Sequence, residues 1–437
     1  MGDNENRKVY KARQVKNYRE MVEYSCKNYA QNIAYKYKKD YTAKNVEYIE
    51  KTYEQVGKDI KAFGTGLLNL DLMGERIVVV GKNRYEWCIS YLATTCSNMV
   101  IVPIDKALPD IEMQRLIERS EAKAIIFDEK YLETIKKVQE KENSNLKTLI
   151  CMDNIQEKGI KTFNEILEEG RNQIKNGDQK YDNIEIDENK MSIMLFTSGT
   201  TNEPKAVMLS QANICANISN IACWVKLYPT DVLLSFLPIH HTFECTITFL
   251  YGFYSGSQVA FCDGLKHIQQ NLKEYKVSVF VAVPLVLETM YKKIQKAIEE
   301  QGKTGLINKM TKISNTLLKA KIDIRKIVFK QILDNFGGNL RVVLYGAAPM
   351  NKATIIGYNN LGISLVQGYG LTETSPVVTA ETDKEKRPGS IGLALANLNL
   401  KIANPDNEGV GEITVKGPSV MLGYYENEEA TKAALDD

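Results

Sequence analysis

The sequence predicts an α/β protein with two mostly parallel, helix-covered sheets and a small β-barrel-like subdomain. Aliphatic runs that suit buried strands alternate with segments of helical periodicity, which is the pattern of a parallel sheet covered by helices. The first half shows three such runs, at residues 76–80, 99–103 and 124–127, with helix-like segments at 87–95 and 110–120 between them. A chain of 437 residues is also too long for one hydrophobic core.

Further elements extend this pattern towards both ends of the chain. A tyrosine- and lysine-rich strand pair near residues 34–38 and 45–52 precedes a predicted helix at 53–69. Towards the C-terminus, short strands separated by Gly, Asp and Asn turns, as at 398–402 and 411–415, predict the small β unit. The strands of a second sheet are predicted by aliphatic runs at residues 232–237, 258–261, 277–283 and 340–345.

We therefore divide the chain into three regions. Residues 1–190 are the first α/β subdomain region, and residues 191–389 are a second α/β subdomain with a glycine-containing loop and a basic helical insertion. Residues 390–437 are the small β subdomain. The polar stretch 176–190 has almost no apolar periodicity and is expected to be a surface connection.

Composition and charge exclude several classes of protein. An apolar content of 44% and a charged content of 25% are ordinary for a globular chain, and the net charge of +2 gives no reason to expect nucleic acid. Eight scattered cysteines without a CxxC pair argue against structural zinc and favour a reducing compartment. The polar N-terminus lacks an export signal, and the longest uncharged runs, 206–225 and 245–262, are too polar to cross a membrane. A cytoplasmic location is expected.

The most informative stretch is residues 194–210, MLFTSGTTNEPKAVMLS. Its first apolar residues indicate the end of a buried strand, and a turn rich in hydroxyls and glycine follows. Backbone N–H groups, hydroxyls and the cation of Lys205 are donors that suit a phosphate group. The stretch is not a Walker A loop, because Pro204 and Ala206 stand where that motif has glycine before its lysine and serine or threonine after it. A plain polar surface loop is the alternative.

Two later loops have a similar character. Residues 345–349 (YGAAP) end a predicted strand with small residues, which lets a flat ligand approach the backbone. Residues 367–373 (QGYGLTE) place an aromatic residue between two glycines, followed by a hydroxyl and a carboxylate. Taken singly, each is a glycine turn after a strand. Together with the first loop they supply a phosphate cradle, an aromatic face and one carboxylate for a cation.

These loops resemble the motifs of the adenylate-forming superfamily, which includes acyl-CoA synthetases, adenylation domains and luciferases. TSGTTNEPKAV resembles its phosphate loop, YGAAPM its adenine segment and QGYGLTETSP its most diagnostic motif. The likeness runs from about residue 27 to the last residue and implies the fold of the large N-terminal domain of those enzymes. The long-chain fatty acyl-CoA synthetase branch is resembled by GKNRYEW (81–87), SFLPIHHTFE (235–244), VAVPLVLETMY (281–291) and the basic helical insertion that follows.

The resemblance implies a role for each matching residue. Lys205, Thr372 and Glu373 would be catalytic, with Thr372 on the α-phosphate, and Mg²⁺ would be held by Glu373 and Thr197 with phosphate oxygens. The phosphates would be wrapped by Thr197, Ser198, Gly199, Thr200, Thr201 and Lys205. One side of adenine would contact Gly346, Ala347 and Ala348, and Tyr369 would stack on the other side. The remaining nucleotide contacts would be Gln367, Gly368, Gly370, Leu371 and Thr372. The acyl carboxylate and the start of its tunnel would be flanked by His241, Phe243, Val283, Pro284 and Gly370.

The implied activity is that of a long-chain fatty acid–CoA ligase that forms AMP. Its substrates would be a fatty acid, ATP and coenzyme A, with Mg²⁺ as cofactor. A carboxylate is a poor acyl donor, so its oxygen would attack the α-phosphorus of ATP and give acyl-AMP and pyrophosphate. Positioned donors and the cation would stabilise the charge on the phosphoryl oxygens. The thiolate of coenzyme A would then attack acyl-AMP.

The adjacent pair His240 and His241, with Glu244, could also be interpreted as a metal site. No second ligand set accompanies the pair, and the third histidine, His267, is remote in the sequence. A packing or substrate-lining histidine is therefore favoured. The position of His241 in FLPIHHTFE favours the substrate-lining role.

The chain departs from the family pattern at two points. Asn202 and Ala206 stand where the family usually has glycines, although asparagine tolerates positive φ. The sequence stops at Asp437, where the family continues into a Gly-Trp-x-x-Thr-Gly-Asp segment, a hinge and a small domain with the adenylation lysine. We therefore expect the C-terminal lysine-bearing domain to be absent from this chain, and the chain to bind ATP or acyl-AMP but to turn over slowly.

The segment from residue 292 to 330 carries eleven basic and three acidic residues, a formal charge of +8. Leu306, Met310, Ile313 and Leu317 repeat at helical spacing, which predicts an amphipathic helix pair crowned by the basic residues. A solvated outer face is the simplest interpretation. Peripheral contact with an anionic membrane surface is the sharper alternative.

Three further functions stay open on sequence grounds. The chain could belong to a ligase for an aryl or short acid, or for an acyl carrier protein as acceptor. It could instead be a catalytically silent module that binds a nucleotide or an acyl group. A P-loop NTPase is disfavoured by the failed Walker A pattern, and it would release orthophosphate rather than pyrophosphate.

Overall fold

The computed structural model describes residues 9–40, 42–43, 45–197 and 203–436. The predicted aliphatic runs form strands that share long sheets. The strands are β1 (Ile33–Lys38), β2 (Tyr48–Thr52), β3 (Arg76–Val80), β4 (Val100–Pro103), β5 (Ala124–Phe127), β6 (Thr148–Cys151), β7 (Ile160–Thr162), β8 (Met191–Thr197), β9 (Lys205–Ser210), β10 (Val232–Ser235), β11 (Gln258–Phe261), β12 (Val279–Ala282), β13 (Val342–Tyr345), β14 (Ser364–Gly370), β15 (Val377–Ala380), β16 (Leu393–Ala394), β17 (Asn399–Ala403), β18 (Glu412–Lys416) and β19 (Gly423–Tyr424).

Helices cover the sheets. The α-helices are α1 (Tyr18–Asn28), α2 (Tyr53–Leu68), α3 (Tyr85–Cys96), α4 (Asp110–Arg119), α5 (Leu132–Gln139), α6 (Phe163–Lys175), α7 (Gln211–Ala222), α8 (Gly252–Tyr254), α9 (Ile268–Glu274), α10 (Pro284–Glu300), α11 (Thr304–Lys319), α12 (Arg325–Val328), α13 (Lys330–Leu333), α14 (Lys352–Asn360) and α15 (Glu428–Ala434). A π-helix, Glu244–Tyr251, precedes α8. The 3₁₀ turns are Glu129–Tyr131, Leu265–His267, Asp334–Phe336 and Thr372–Thr374.

The first sheet has eight strands within the described residues, in the order β19-β9-β8-β4-β3-β5-β6-β7. The strands from β8 to β7 in that order pair in parallel. Strand β9 pairs antiparallel with β8 on one side and with β19 on the other. The carboxyl ends of β8, β4, β3, β5 and β6 therefore lie along one edge, where ligands of parallel sheets bind.

The second sheet has nine described strands, in the order β16-β15-β14-β13-β12-β10-β11-β1-β2. Its six central strands are parallel, and the outer strands β2, β15 and β16 are antiparallel additions. Central strands such as β12 and β13 are buried throughout, which explains their continuous aliphatic runs.

The predicted fold class is confirmed: two mostly parallel sheets are covered by helices, and a small antiparallel unit follows. That unit is the two-stranded sheet β17–β18, rather than a closed barrel among the described residues. The sheets do not follow chain order, because β1 and β2 join the second sheet while β8 and β9 join the first. The subdomain boundaries at residues 190 and 389 stay a prediction.

The two uncharged runs contribute to the core. Helix α7 lies in the first run, and the π-helix and β11 lie in the second, with nearly all their side chains buried. Among the described residues, no helix is both long and apolar enough to cross a membrane.

Helices α2 and α6 approach each other closely on the first sheet. Both begin with a capping box, in which a threonine hydroxyl and the side chain three residues later exchange hydrogen bonds with the backbone. Phe63 and Phe163 stack across the pair with ring centroids 4.5 Å apart. A Cβ added at Gly170 would lie only 1.8 Å from the Ala62 carbonyl oxygen. The backbone contact of this pair therefore requires glycine at position 170.

We expect Gly170→Ala to lower the free energy of unfolding by about 1–3 kcal/mol, because the helices must move apart to admit the methyl group. The matched control is Gly305→Ala in α11, where a Cβ would meet nothing within 4 Å. That change should stabilise the protein by about 0.5–1 kcal/mol through helix propensity. Urea unfolding measures both variants, and an unchanged free energy for Gly170→Ala would contradict the packing argument.

Candidate functional site

A cavity of about 290 Å³ lies where the carboxyl ends of the two sheets meet. Thr197 at the end of β8 and Pro103 at the end of β4 come from the first sheet. Thr372, in the turn after β14, comes from the second. The remaining lining residues are Ile104, Asp105, Leu108, Leu116, Leu195, Phe196, Pro204, His240, His241 and Thr242. The cavity thus combines an aliphatic wall with hydroxyl and imidazole groups.

Thr197 and Pro204 of the predicted phosphate loop line this cavity. Thr197 and Lys205 face each other across the antiparallel pair β8–β9, and the Thr197 hydroxyl donates to the Lys205 carbonyl oxygen at 3.4 Å. Both residues are half-buried. The predicted phosphate ligands Ser198, Gly199, Thr200 and Thr201 lie outside the described residues, as does Asn202.

Glu373 follows Thr372 in the 3₁₀ turn and lies near Lys205. Its carboxylate oxygen Oε1 accepts a hydrogen bond of 2.9 Å from the Tyr424 hydroxyl. The Lys205 ammonium lies over the ring of the same tyrosine, 4.9 Å from the ring centroid. Burial and the neighbouring Glu373 carboxylate raise the pKa of Tyr424, so its hydroxyl stays protonated and donates. None of the sequence motifs pointed to this tyrosine as a site residue.

The oxygen donors here fit a magnesium ion that is shared with a nucleotide. Mg²⁺ prefers oxygen ligands and usually binds through one or two carboxylates together with substrate phosphates and waters. Glu373 supplies one carboxylate and Thr197 one hydroxyl. No group of three or more His, Cys, Asp or Glu side chains among the described residues could hold a metal ion without further ligands. The predicted metal site is therefore chemically compatible with the residues and incomplete without phosphate oxygens.

The predicted adenine segment follows β13, beside the end of β14. The Tyr345 hydroxyl donates to the Gln367 side-chain oxygen at 2.9 Å and joins the two strands. A Cβ at Gly346 would lie 2.8 Å from the Gly368 carbonyl oxygen and 3.6 Å from the Phe243 ring, so a larger residue would not fit. Ala347 has φ of +68° and, like Ala348 and Leu371, is exposed. Tyr369 and the glycines on either side of it are half-buried.

The histidine pair lies on the segment after β10. Their ring centroids are 4.1 Å apart, and His240 Nε2 lies 3.7 Å from an Asp105 carboxylate oxygen. Burial and the adjacent His241 lower the pKa of His240 to about 4. His240 is therefore neutral at pH 7, and its approach to Asp105 is not an ion pair. Both histidines line the cavity, and the substrate-lining role of His241 stays a prediction.

The other predicted acyl contacts lie along the same edge of the second sheet. Val283 is the half-buried N-cap of α10, and Pro284 is its buried first residue. Phe243 is half-buried at the start of the π-helix. Gly370 ends β14, where an added Cβ would overlap the Pro376 carbonyl oxygen at 1.7 Å. None of these four lines the cavity between the sheets.

Glu244, three residues after His241 in the sequence, is fully buried. Its carboxylate accepts hydrogen bonds from the Ser235 hydroxyl at 2.7 Å and from the Thr248 hydroxyl at 2.8 Å. Asn83 donates to the Ser235 hydroxyl at 2.9 Å and so links the first sheet to this network. Burial outweighs these bonds and raises the pKa of Glu244 to about 8. The sequence places Asn83 in GKNRYEW and Glu244 in FLPIHHTFE without showing that the two stretches meet.

Three of the predicted residues, Thr197, Thr372 and His241, thus line one cavity. Lys205 and Glu373 both contact Tyr424, the first at its ring and the second at its hydroxyl. The roles of all these residues stay predictions. Sequence analysis missed Asp105 and Thr242 in the lining. Asp105 follows a predicted strand at its carboxyl end, which was the available signal. The sequence around Tyr424 is a glycine–tyrosine pair in a turn-rich stretch, which gave no signal that this residue belongs to the site.

The family described as AMP-binding enzyme matches residues 22–425 of the chain. The chain belongs to this family. The match includes β8, β9, the cavity and the loops after β13 and β14, so the geometry described above lies within the family's shared region.

Known proteins agree with this membership. A Mus musculus protein named long-chain-fatty-acid–CoA ligase 6 is 30% identical over 418 residues, which cover 88% of this chain and 59% of that protein. An Arabidopsis thaliana chloroplastic protein named long-chain-fatty-acid–[acyl-carrier-protein] ligase AEE15 is 27% identical over 449 residues, which cover 88% and 61%. The chain therefore spans about three fifths of the length of these relatives.

A crystal structure of the N-terminal domain of FACL13 from Mycobacterium tuberculosis has the same fold. Its TM-score is 0.73 at 19% sequence identity, with 97% of this chain and 95% of that chain covered. At this identity the likeness shows the fold alone, and it agrees with the architecture expected of the large N-terminal domain of adenylate-forming enzymes.

The buried Glu244 carboxyl predicts a pH-dependent stability. Its folded pKa of about 8 lies above the value of about 4.3 for an unfolded glutamate, so protons bind more tightly to the folded state. The stabilisation is fully present below pH 4.3 and is lost as the pH rises towards 8. Relative to Glu244→Gln, which does not titrate, the wild type should lose on the order of a few kcal/mol of unfolding free energy across this window.

Urea unfolding of both proteins at several pH values between 4 and 9 measures this difference. A stability difference that stays constant with pH would show that the pKa of Glu244 is the same in the folded and unfolded states, so that its hydrogen bonds offset its burial.

Proposed function

We propose that the chain is the nucleotide- and acyl-binding part of a long-chain fatty acid–CoA ligase. The reaction is ATP-dependent formation of acyl-AMP, followed by transfer of the acyl group to coenzyme A. The observation that carries the proposal is the single cavity that gathers Thr197, Thr372 and His241 from three separate segments. Family membership and the name of the mouse relative support the reaction class.

The nucleotide side of the reaction uses the loops after β8, β13 and β14. Lys205 and the hydroxyl of Thr197 bind phosphate oxygens, and the Thr372 hydroxyl donates to the α-phosphate. Glu373 and Thr197 hold Mg²⁺, which neutralises phosphate charge when bound. Gly346, Ala347 and Ala348 border one face of adenine, and Tyr369 stacks on the other. Glycine is required at position 346 because a Cβ there would lie 2.8 Å from the Gly368 carbonyl oxygen.

The acid side uses the segments after β10 and β12. His241 borders the carboxylate, with Phe243, Val283, Pro284 and Gly370 leading towards the acyl chain. Burial lowers the pKa of both His240 and His241, so the histidine pair is neutral at pH 7 and does not bind the carboxylate as an ion pair. The aliphatic wall of the cavity, with Leu108, Leu116 and Leu195, excludes water from the reacting groups.

The proposed reaction has two steps, acyl-AMP formation and transfer of the acyl group to coenzyme A. A carboxylate oxygen forms a bond to the α-phosphorus, and the bond between that phosphorus and the bridging oxygen to the β-phosphate breaks, which releases pyrophosphate. The thiolate of coenzyme A then attacks the acyl carbon, and AMP leaves with the electron pair of the broken C–O bond. Proximity and electrostatic stabilisation supply the rate enhancement, as in other phosphoryl transfers.

An acyl carrier protein is the second candidate acceptor, because the Arabidopsis relative is named as a ligase for that protein. A ligase for another acid and a catalytically silent binding module are the remaining alternatives. Acyl-AMP formation with a panel of aryl, short and long acids, measured on the protein extended past residue 437, separates them, followed by product analysis with coenzyme A or with acyl carrier protein. A silent module forms no acyl-AMP, and an NTPase releases orthophosphate without needing an acid.

We expect the chain to bind ATP with Mg²⁺, and Glu373→Gln to weaken this binding at least about tenfold, because a metal-bound charge is lost. Titration calorimetry with and without Mg²⁺ measures the effect. Glu381→Gln provides a buried glutamate near the same strand that has no proposed metal role. Equal binding of ATP with Mg²⁺ by the wild type and by a well-folded Glu373→Gln protein would remove the metal role.

We further propose that the segment 292–330 contacts an anionic membrane surface, from which a long-chain acid would be drawn. The segment spans the second half of α10, helices α11 and α12 and the first residue of α13, with a formal charge of +8. The predicted apolar stripe of α11 is only partly covered. Met310 and Leu317 are half-buried, whereas Leu306 is 51% exposed and Ile313 47% exposed. Exposed apolar side chains beside lysines suit the headgroup region of an anionic bilayer.

The predicted binding is peripheral and salt-sensitive. Changing Lys309, Lys312 and Lys319 to Glu lowers the formal charge of the segment from +8 to +2. At about 1 kcal/mol per basic residue near the surface, affinity should fall at least tenfold. Sedimentation with vesicles of phosphatidylcholine, with or without phosphatidylglycerol, at low and high salt measures it. The control changes three exposed lysines elsewhere, Lys137, Lys158 and Lys401, to Glu.

If the unchanged protein ignores the anionic vesicles at low salt, the segment is a solvated helical face. Equal losses for both triple variants would mean that net charge, rather than this surface, controls binding.

A further inference from the structure

Tyr424 lies between the two charged side chains of the candidate nucleotide site. Its hydroxyl donates to Glu373 Oε1 at 2.9 Å, and the Lys205 ammonium lies over its ring, 4.9 Å from the ring centroid. The tyrosine is only 7% exposed. Among the described residues, no ion pair joins Lys205 to Glu373, although each contacts the same side chain.

The backbone holds Tyr424 in this place from several directions. Strand β19 pairs with β9, which sets Tyr424 opposite Val207, two residues from Lys205. The Tyr424 N–H donates to the Thr431 hydroxyl at 2.9 Å. On the other side, the Met421 N–H donates to the Glu373 carbonyl oxygen at 2.8 Å. The ring is thus fixed relative to both the lysine and the carboxylate.

An ammonium and a carboxylate attract each other more strongly in a partly buried site than in water, because the effective dielectric constant is lower. Such a pair would compete with phosphate for the lysine and with a cation for the carboxylate. The face of an aromatic ring satisfies an ammonium more weakly than a carboxylate does. The Tyr424 hydroxyl occupies Oε1, and no hydrogen-bond donor among the described residues contacts Oε2. Contact with Tyr424 therefore keeps both charges available for ligands.

We propose that Tyr424 is a positioning residue that keeps Lys205 and Glu373 apart. The separation leaves the lysine free to bind phosphate and the carboxylate free to bind a divalent cation. The identity of these ligands rests on the proposed function, whereas the separation is a property of the chain itself.

The first test is a double-mutant cycle on ATP binding in the presence of a chelator, so that no divalent cation takes part. Tyr424→Leu removes the ring and should weaken ATP binding about tenfold, because Lys205 then pairs with Glu373. In the Glu373→Gln background the same change should alter binding by less than about threefold. Tyr424→Phe keeps the ring and should also stay within about threefold of the wild type.

The control is Tyr425→Leu. The neighbouring Tyr425 hydroxyl contacts Arg76 and Glu121, away from the candidate site. ATP binding by this variant should stay within about twofold of the wild type. Circular dichroism and thermal unfolding of every variant show whether the fold is kept.

The second test needs no nucleotide. Competitive acetylation of lysines, read residue by residue by mass spectrometry, reports the reactivity of the Lys205 amine. An ion pair raises the pKa of an amine and lowers its reactive neutral fraction. Labelling of Lys205 should therefore fall at least about threefold in Tyr424→Leu and recover in the double variant with Glu373→Gln.

Equal losses of ATP binding in both backgrounds, or Lys205 labelling that ignores Tyr424→Leu, would overturn the separation and leave the proposed function standing. If the chain binds no ATP but the labelling follows the expected pattern, the separation holds and the proposed function fails.

Discussion

The double pairing of β9 organises the candidate site. Its antiparallel contact with β8 sets Lys205 opposite Thr197, and its contact with β19 sets Tyr424 opposite Val207. Because side chains alternate along a strand, a slip of one residue in either pairing would turn Lys205 or Tyr424 to the other face of the sheet. The positions of Lys205 and Tyr424 therefore depend on the register of β8, β9 and β19 rather than on the loop alone.

The surroundings of the cavity favour uncharged side chains. Burial keeps His240 neutral at pH 7 and raises the pKa of Glu244 to about 8. Part of the cavity wall is aliphatic, and electrostatic interactions beside such a wall are stronger than at the surface. Under the proposed function, most of the charge in the occupied site arrives with the nucleotide, its cation and the acid. The protein then contributes fixed donors, one lysine and one carboxylate.

Local patterns predicted individual elements well, because burial and periodicity act over a few residues. The runs at 76–80, 124–127 and 258–261 became β3, β5 and β11 with the expected bounds. Sheet membership could not be predicted, since the pairing of β1 with β11 joins segments more than two hundred residues apart. The same limit hid Tyr424 and the link from Asn83 to Ser235, which are contacts between distant segments. The apolar stripe of α11 was identified as a helix face, but periodicity does not show whether a partner covers it.

The meeting of two parallel sheets at their carboxyl ends explains why so many short loops converge on one cavity. Each parallel strand is followed by a loop at the same edge of its sheet. The two edges border a cavity with a volume of about 290 Å³. Under the proposed function, the nucleotide contacts follow β8, β13 and β14, while the acid contacts follow β10 and β12. Strands β10, β12, β13 and β14 are consecutive neighbours in one sheet. Under that function, two substrates bound at the ends of neighbouring strands lie close together, so the order of strands contributes the proximity that acyl-AMP formation needs.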